Sequence, residues 1–216
     1  MSAATPQTAG LWAGVIAPIL FTAIYLVEGM TRPGYDPMRH QVSLLSLGPG
    51  GGVQIASFIA TGSLLLAFAA ALRGELVPGM SATSIPAAVA TSGVGFILAG
   101  IFTTQPLFGY PPGTPQGMAT EITMGSVGHL LGALLLFAGL VVAAAAHGRR
   151  SWRAGEKCWA LASVGAAVTV FACFGASGGG PSGHLLLPDV AGLLQRISLT
   201  AGLGWVLAIA LGMPLR

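Results

Sequence analysis

Apolar runs of roughly 20 residues, the length that crosses a ~30 Å hydrocarbon core, recur six times along the chain. They begin near Leu11, Gly52, Ile85, Ile122, Cys158 and Val190. The pattern predicts an all-α polytopic bundle of six transmembrane helices, forming a single membrane domain over residues 1–216. The first run, Leu11 to Met30, is read as a retained span. No Lys or Arg precedes Arg32, and the run is too long for the apolar core of a signal peptide. Between the first two runs the pattern changes. Asp36 is placed to cap a helix, Pro37 suits its first position, and Gly48-Pro49 ends it. Met38, Val42 and Leu45 recur on one face and Arg39, Ser43 and Ser46 on another, which predicts a short amphipathic helix in the interface with its serines solvated.

The spans carry many small residues, including Gly10-x-x-x-Gly14 and Gly128-x-x-x-Gly132, spacings that let helix backbones approach closely. A weak internal echo relates Gly34-Tyr35-Asp36-Pro37 to Gly109-Tyr110-Pro111-Pro112; both follow an odd-numbered span, a hint of repeated two-helix units too short to establish one.

Composition agrees with a lipid solvent. Of 216 residues, 54% are hydrophobic and 7% charged, against about 25% charged in a soluble domain. The formal charge of +3 comes from nine bases without a basic stripe, so nucleic acid is not an expected partner; the bilayer is. Cys158 and Cys173 stand about 22 Å apart on one predicted helix and cannot bridge within it. Six spans put both termini on one side. Arg73, Arg149, Arg150, Arg153, Lys157 and Arg216 fall on that side and Arg32, Arg39 and Arg196 on the other, so the positive-inside rule predicts cytoplasmic termini. Arg32 and Arg39 beside a neutral N-terminus pull the first span the other way. The short basic fourth connection outweighs them, and Trp12, Trp152 and Trp159 then sit near the cytoplasmic interface.

Candidate chemistry follows from sorting the polar residues by side. Glu28, Asp36, Glu121, Asp189, His40, His129, His184, Arg39 and Arg196 all map to the exterior half. With Glu121 opening the fourth span, His129 lies about 12 Å deeper. With Asp189 capping the sixth, Arg196 lies about 10 Å deep. An arginine at that depth needs a partner or a wet cavity, and Glu28, Glu121 and Asp189 are the candidates. One reading is an exterior-facing pocket walled by Glu28, His129, Gln195 and Arg196 that holds a polar head group. The other is an ion pair that pins helices one, four and six. As an enzyme site, Glu28 or Glu121 would supply a proton and His129 would orient or relay it. Arg196, with Gln195, His40, Asp189 and Gln105, would bind ligand.

No metal or cofactor is expected. His40, His129 and His184 are isolated, without the paired spacing of a zinc site, and only His129 lies well inside a span, which disfavours a haem held by two histidines. Gly178-Gly179-Gly180-Pro181 lacks the Gly-Lys-Ser/Thr that continues a phosphate loop.

Three stretches together resemble a bacterial membrane family known as domain of unknown function 998. They are H-Q-V-S-L-L-S-L-G-P-G-G from residue 40, G-I-F-T-T-Q-P-L-F-G-Y-P-P-G-T-P at 100–115 with G-S-V-G-H at 125–129, and G-L-L-Q-R-I-S-L at 192–199. The likeness covers nearly the whole chain and implies a six-helix bacterial membrane protein, with His129, Gln195 and Arg196 as matched polar positions. Where that family usually has Asp-Pro, this chain has Gln105-Pro106, so no carboxylate chemistry is expected there. The family supplies no activity. The expectation is an inner-membrane protein with an exterior-facing pocket for a lipid-like or isoprenoid-like molecule; the rival is a transporter or structural partner subunit. A broken-helix transporter would need paired Gly/Pro breaks near the midplane, whereas the prolines sit mostly in loops or near span ends, Pro18 being the exception. Oligomeric state is left open.

Overall fold

The computed structural model describes residues 6–76, 80–117, 121–178 and 187–212. Six helices are long and apolar enough to cross a membrane: α1 (Pro6–Thr31), α2 (Gly51–Glu75), α3 (Met80–Ile101), α4 (Met124–Arg153), α5 (Lys157–Ala176) and α6 (Ala191–Ala210). Each packs mainly on its neighbours in sequence, and α6 returns to lie beside α1, so the helices close into a ring. The start of α1 and the end of α6 share one end of it. The other end carries the three connections α1–α2, α3–α4 and α5–α6 and is called here the loop end. His184, Gly179, Gly180, Pro181 and Arg216 lie outside the described residues.

Small residues set the tightest contacts, as expected for helices packing where burial against lipid gives no driving force. A methyl group added to Gly14 would fall 2.5 Å from the Phe68 ring of α2, and one added to Gly132 would fall 2.7 Å from the backbone nitrogen of Ala99 in α3. Between α1, α2 and α3 an aromatic cluster forms, with Phe21 edge-on to both Phe58 and Phe96 at 5.0 Å. By contrast α5 is peripheral: 22% of its span is buried against 56% for α3, so most of its circumference meets lipid.

The first connection departs from expectation. Asp36 does cap, its Oδ1 accepting from Met38 N at 2.9 Å, and His40 N reaches Asp36 O at 2.7 Å. The turn then stops. Gln41 is extended, and a 3-10 turn follows over Val42–Ser46, all five residues of which are buried. Ser43 and Ser46 therefore belong to the interior, not to a solvated face. The reason lies in α6. The carbonyls of Pro37, Met38, Arg39 and His40, which a continuing helix would need, are all taken by α6. Backbone N–H groups of Gly192 and Leu193, unpaired at a helix start, donate to Arg39 O (3.2 Å) and Met38 O (2.9 Å). Arg196 takes the other two. Residues 37–46 thus form a strap that dips into the ring and touches α1, α2 and α6. Gly192 permits the approach, since a Cβ there would sit 2.4 Å from His40 O.

The two echoing segments meet face to face at this end. Tyr35 and Tyr110 pack edge-on at 5.1 Å, and Gly34 lies against Pro112.

Candidate functional site

Two polar constellations occupy the loop end. The first surrounds Arg196. Its Nη1 reaches the carbonyls of Pro37 (2.6 Å), His40 (3.0 Å) and Gly192 (3.0 Å), and its Nη2 donates to the Tyr35 hydroxyl. The guanidinium also stacks near the rings of Tyr35 and Tyr25. Burial pushes the Tyr35 phenol up to about 12, so it keeps its proton, which it shares between His40 O (2.9 Å) and Gln41 O (3.0 Å). Among the described residues no carboxylate takes part. Glu28, one of the three candidate partners, is paired one turn away with Arg32. Arg32 in turn reaches the carbonyls of Leu45, Leu47 and Pro49 at the far end of the strap. Two arginines therefore clamp one strap, and in place of a carboxylate from Glu28, Glu121 or Asp189, Arg196 has backbone acceptors.

His40 belongs to the same knot. Its Nδ1 accepts from Asp36 N at 2.9 Å, which leaves the proton on Nε2 to be donated to Phe108 O at 3.2 Å. Burial holds its pKa below the ordinary value. Arg39, the third base at this end, lies over the Phe108 ring at 4.8 Å.

The second constellation surrounds His129 and is not closed. Thr123 and Ser126 form a capping box that starts α4 at Met124, two residues later than the apolar run begins, because the paired hydroxyls satisfy the first N–H groups. Glu121 is consequently outside the helix and exposed. His129 and Arg196 each lie five residues past the start of their helices, about 7.5 Å deep. They share a depth, as expected, though a shallower one. The His129 Nδ1 donates to Phe102 O (2.8 Å) and Ala99 O (3.1 Å), the carbonyls that end α3. Nε2 is left as the ring's acceptor.

Beside it opens a cavity of about 270 Å3. His129, Gln195, Gln41, Gln105 and Ser43 supply polar wall, and Leu130, Ala133 and Phe174 supply apolar wall. Exposed Glu121 lies at its edge. A smaller void of about 20 Å3 continues inward past Ser43, His129 and Gln195, room for one water. Gln195 spends its Oε1 on Val42 N at 2.7 Å, so the strap also forms one wall of the cavity.

Of the eight anticipated residues, His129, Gln195, Gln105 and Glu121 come together around this space; Glu28, Arg196, His40 and Asp189 do not line it. Asp189 is exposed in a 3-10 turn (Pro188–Val190) before α6 and caps nothing, because the strap carbonyls already serve that helix start. Gln41 and Ser43 were not anticipated. Their signal was present, since both lie inside the stretch from residue 40 that carries the family resemblance. Among the described residues no three His, Cys, Asp or Glu side chains group to hold a metal.

The family described as a protein of unknown function (DUF998) matches residues 15–212, nearly the whole chain. The chain belongs to the DUF998 family. No curated protein and no solved structure matches it. In this DUF998 protein the matched span takes in α2 to α6, the strap and every residue that lines the cavity.

Proposed function

We propose that this DUF998 protein binds the uncharged polar head of a lipid-like or isoprenoid-like molecule in the cavity beside His129. The observation that carries the reading is the half-satisfied imidazole: Nδ1 is fixed by two carbonyls, and Nε2 is the nitrogen left for a ligand hydroxyl. Charge supports an uncharged head. The cation that would have held an anion, Arg196, is spent on the strap, and the ionisable carboxylate at the cavity edge, Glu121, repels anions. Size supports a head without its tail, since 270 Å3 is below the roughly 300–1,000 Å3 of pockets for drug-sized ligands. Leu130, exposed on the lipid side of α4 and also lining the cavity, gives the tail a way out into the bilayer. By the distribution of Lys and Arg, this end faces the exterior of a bacterial inner membrane.

In this reading His129 accepts, Gln195 and Gln105 orient, and among the described residues Glu121, at the cavity edge, is the one carboxylate in the lining. The protein is a binding protein first. The rival reading, in which polar residues only pin helices, describes Arg196 and Glu28 well and His129 poorly. The test is retention of a photoreactive long-chain prenol against its phosphate by protein in mild detergent. Prenol is expected to be retained over phosphate, and His129→Asn, which keeps a donor for the two carbonyls but removes Nε2, is expected to abolish retention with little change in melting temperature. Preference for the phosphate, or full retention by the variant, overturns the reading.

A further inference from the structure

At the opposite end of the ring, α4 and α5 run together into the short turn that joins them. Gly148 brings them close, with space for a Cβ only 2.9 Å from Val164. Outside this contact a groove of about 440 Å3 faces the lipid, its wall formed by Ala145 and Gly148 of α4 and by Leu161 and Val164 of α5. Toward the turn the same groove is lined by Arg149, Trp152 and Arg153. Arg149 and Arg153 are one turn apart on one face of α4, about 6 Å along the axis. Both are exposed, and neither makes an ion pair or side-chain hydrogen bond among the described residues. Lys157 stacks on the Trp152 ring at 3.6 Å, adding a third cation to the same rim.

We infer that this groove is a binding site for one anionic phospholipid of the surrounding bilayer. The phosphate lies between Arg149 and Arg153, Trp152 sits at headgroup level as interfacial tryptophans do, and an acyl chain follows the apolar wall into the membrane. Charge complementarity selects the occupant. Two guanidiniums without carboxylate partners match a phosphodiester, with its planar donors presented at a fixed spacing, and the apolar wall continues from them into the hydrocarbon region. A zwitterionic lipid fills the wall equally well, but its choline opposes the cations.

The test is native mass spectrometry of the full chain after delipidation in an uncharged detergent. Phosphatidylglycerol is compared with phosphatidylcholine of the same chains, and glycerol phosphate serves as the soluble headgroup. One retained phosphatidylglycerol is expected, and Arg149→Gln with Arg153→Gln should lower its retention by about thirtyfold, at the worth of a basic residue near an anionic surface. Phosphatidylcholine retention should not change. Ala145→Phe, which fills an exposed part of the groove, should lower retention of both lipids at unchanged melting temperature. Arg73→Gln, which removes an exposed cation of the same end from outside the groove, should have no effect. Equal retention of the two lipids, an unaltered double variant, an Arg73→Gln loss as large as that of the double variant, or competition by glycerol phosphate as strong as by lipid would each overturn the inference.

Discussion

Arg196 and His129 stand the same number of residues into their helices, at the same end of the ring, yet the protein treats them in opposite ways. Arg196 meets acceptors from its own chain on every side: three carbonyls and a phenol. His129 meets two carbonyls on one nitrogen and a cavity beside the ring. A charge in the membrane marks function only when the protein leaves it something to bind. Here the stronger charge is the structural part, and the weaker group is the open one.

The sharpest way to break that contrast is Arg196→Leu. Removing the guanidinium leaves the carbonyls of Pro37 and His40 and the Tyr35 hydroxyl short of a donor, at a cost of about 3 kcal/mol. Thermal unfolding in detergent should show this, whereas a stable variant that loses only ligand would make Arg196 part of the site. Gly192→Ala acts on the same knot through sterics and should cost about 2 kcal/mol, because the new methyl meets His40 O and Pro37 O; unchanged melting would mean the strap is loosely held. His129→Asn should shift stability by less than about 1 kcal/mol while retention of prenol is lost. A stability loss matching that of Arg196→Leu would erase the distinction between the two residues.

Titration of His40 gives a smaller effect. Its folded pKa lies below the ordinary 6.5, so the unfolded chain takes up the proton first. Stability is full above that value and declines as pH falls through it toward the folded pKa. Melting curves between pH 7.5 and 5 should record the decline, and His40→Phe should make it smaller. Asp189→Ala should be nearly silent in both stability and retention, since the carboxylate is exposed and caps nothing.

Much of the frame was readable from residue types alone. Six apolar runs became six helices, and the glycine pairs at 10/14 and 128/132 do face neighbouring helices. The start of α4 was placed too early, at Glu121, because the apolar run was followed rather than the hydroxyls of Thr123 and Ser126 that cap the helix. What could not be read was the partner of Arg196. Carboxylates can be counted in a sequence, but any residue carries a carbonyl, and which carbonyls are unpaired depends on where the strap lies. The same ignorance produced the interfacial helix. Met38, Val42 and Leu45 have helical spacing whether the segment lies on the membrane or dips into the ring. Only competition from α6 for the carbonyls at 37–40 decides. The half of the site on α4 and α6 was legible, and the half on the strap was not.

The ring closes where its last helix meets its first connection, between residues as far as 159 positions apart. At about 5–20 residues per second, synthesis of that interval takes on the order of 10–30 s. Throughout it the nascent strap has no Arg196, no α6 start and no Gln195 to receive it. The final helix is therefore what completes the fold: a chain cut before α6 carries five spans and a strap without the groups of α6 that hold it.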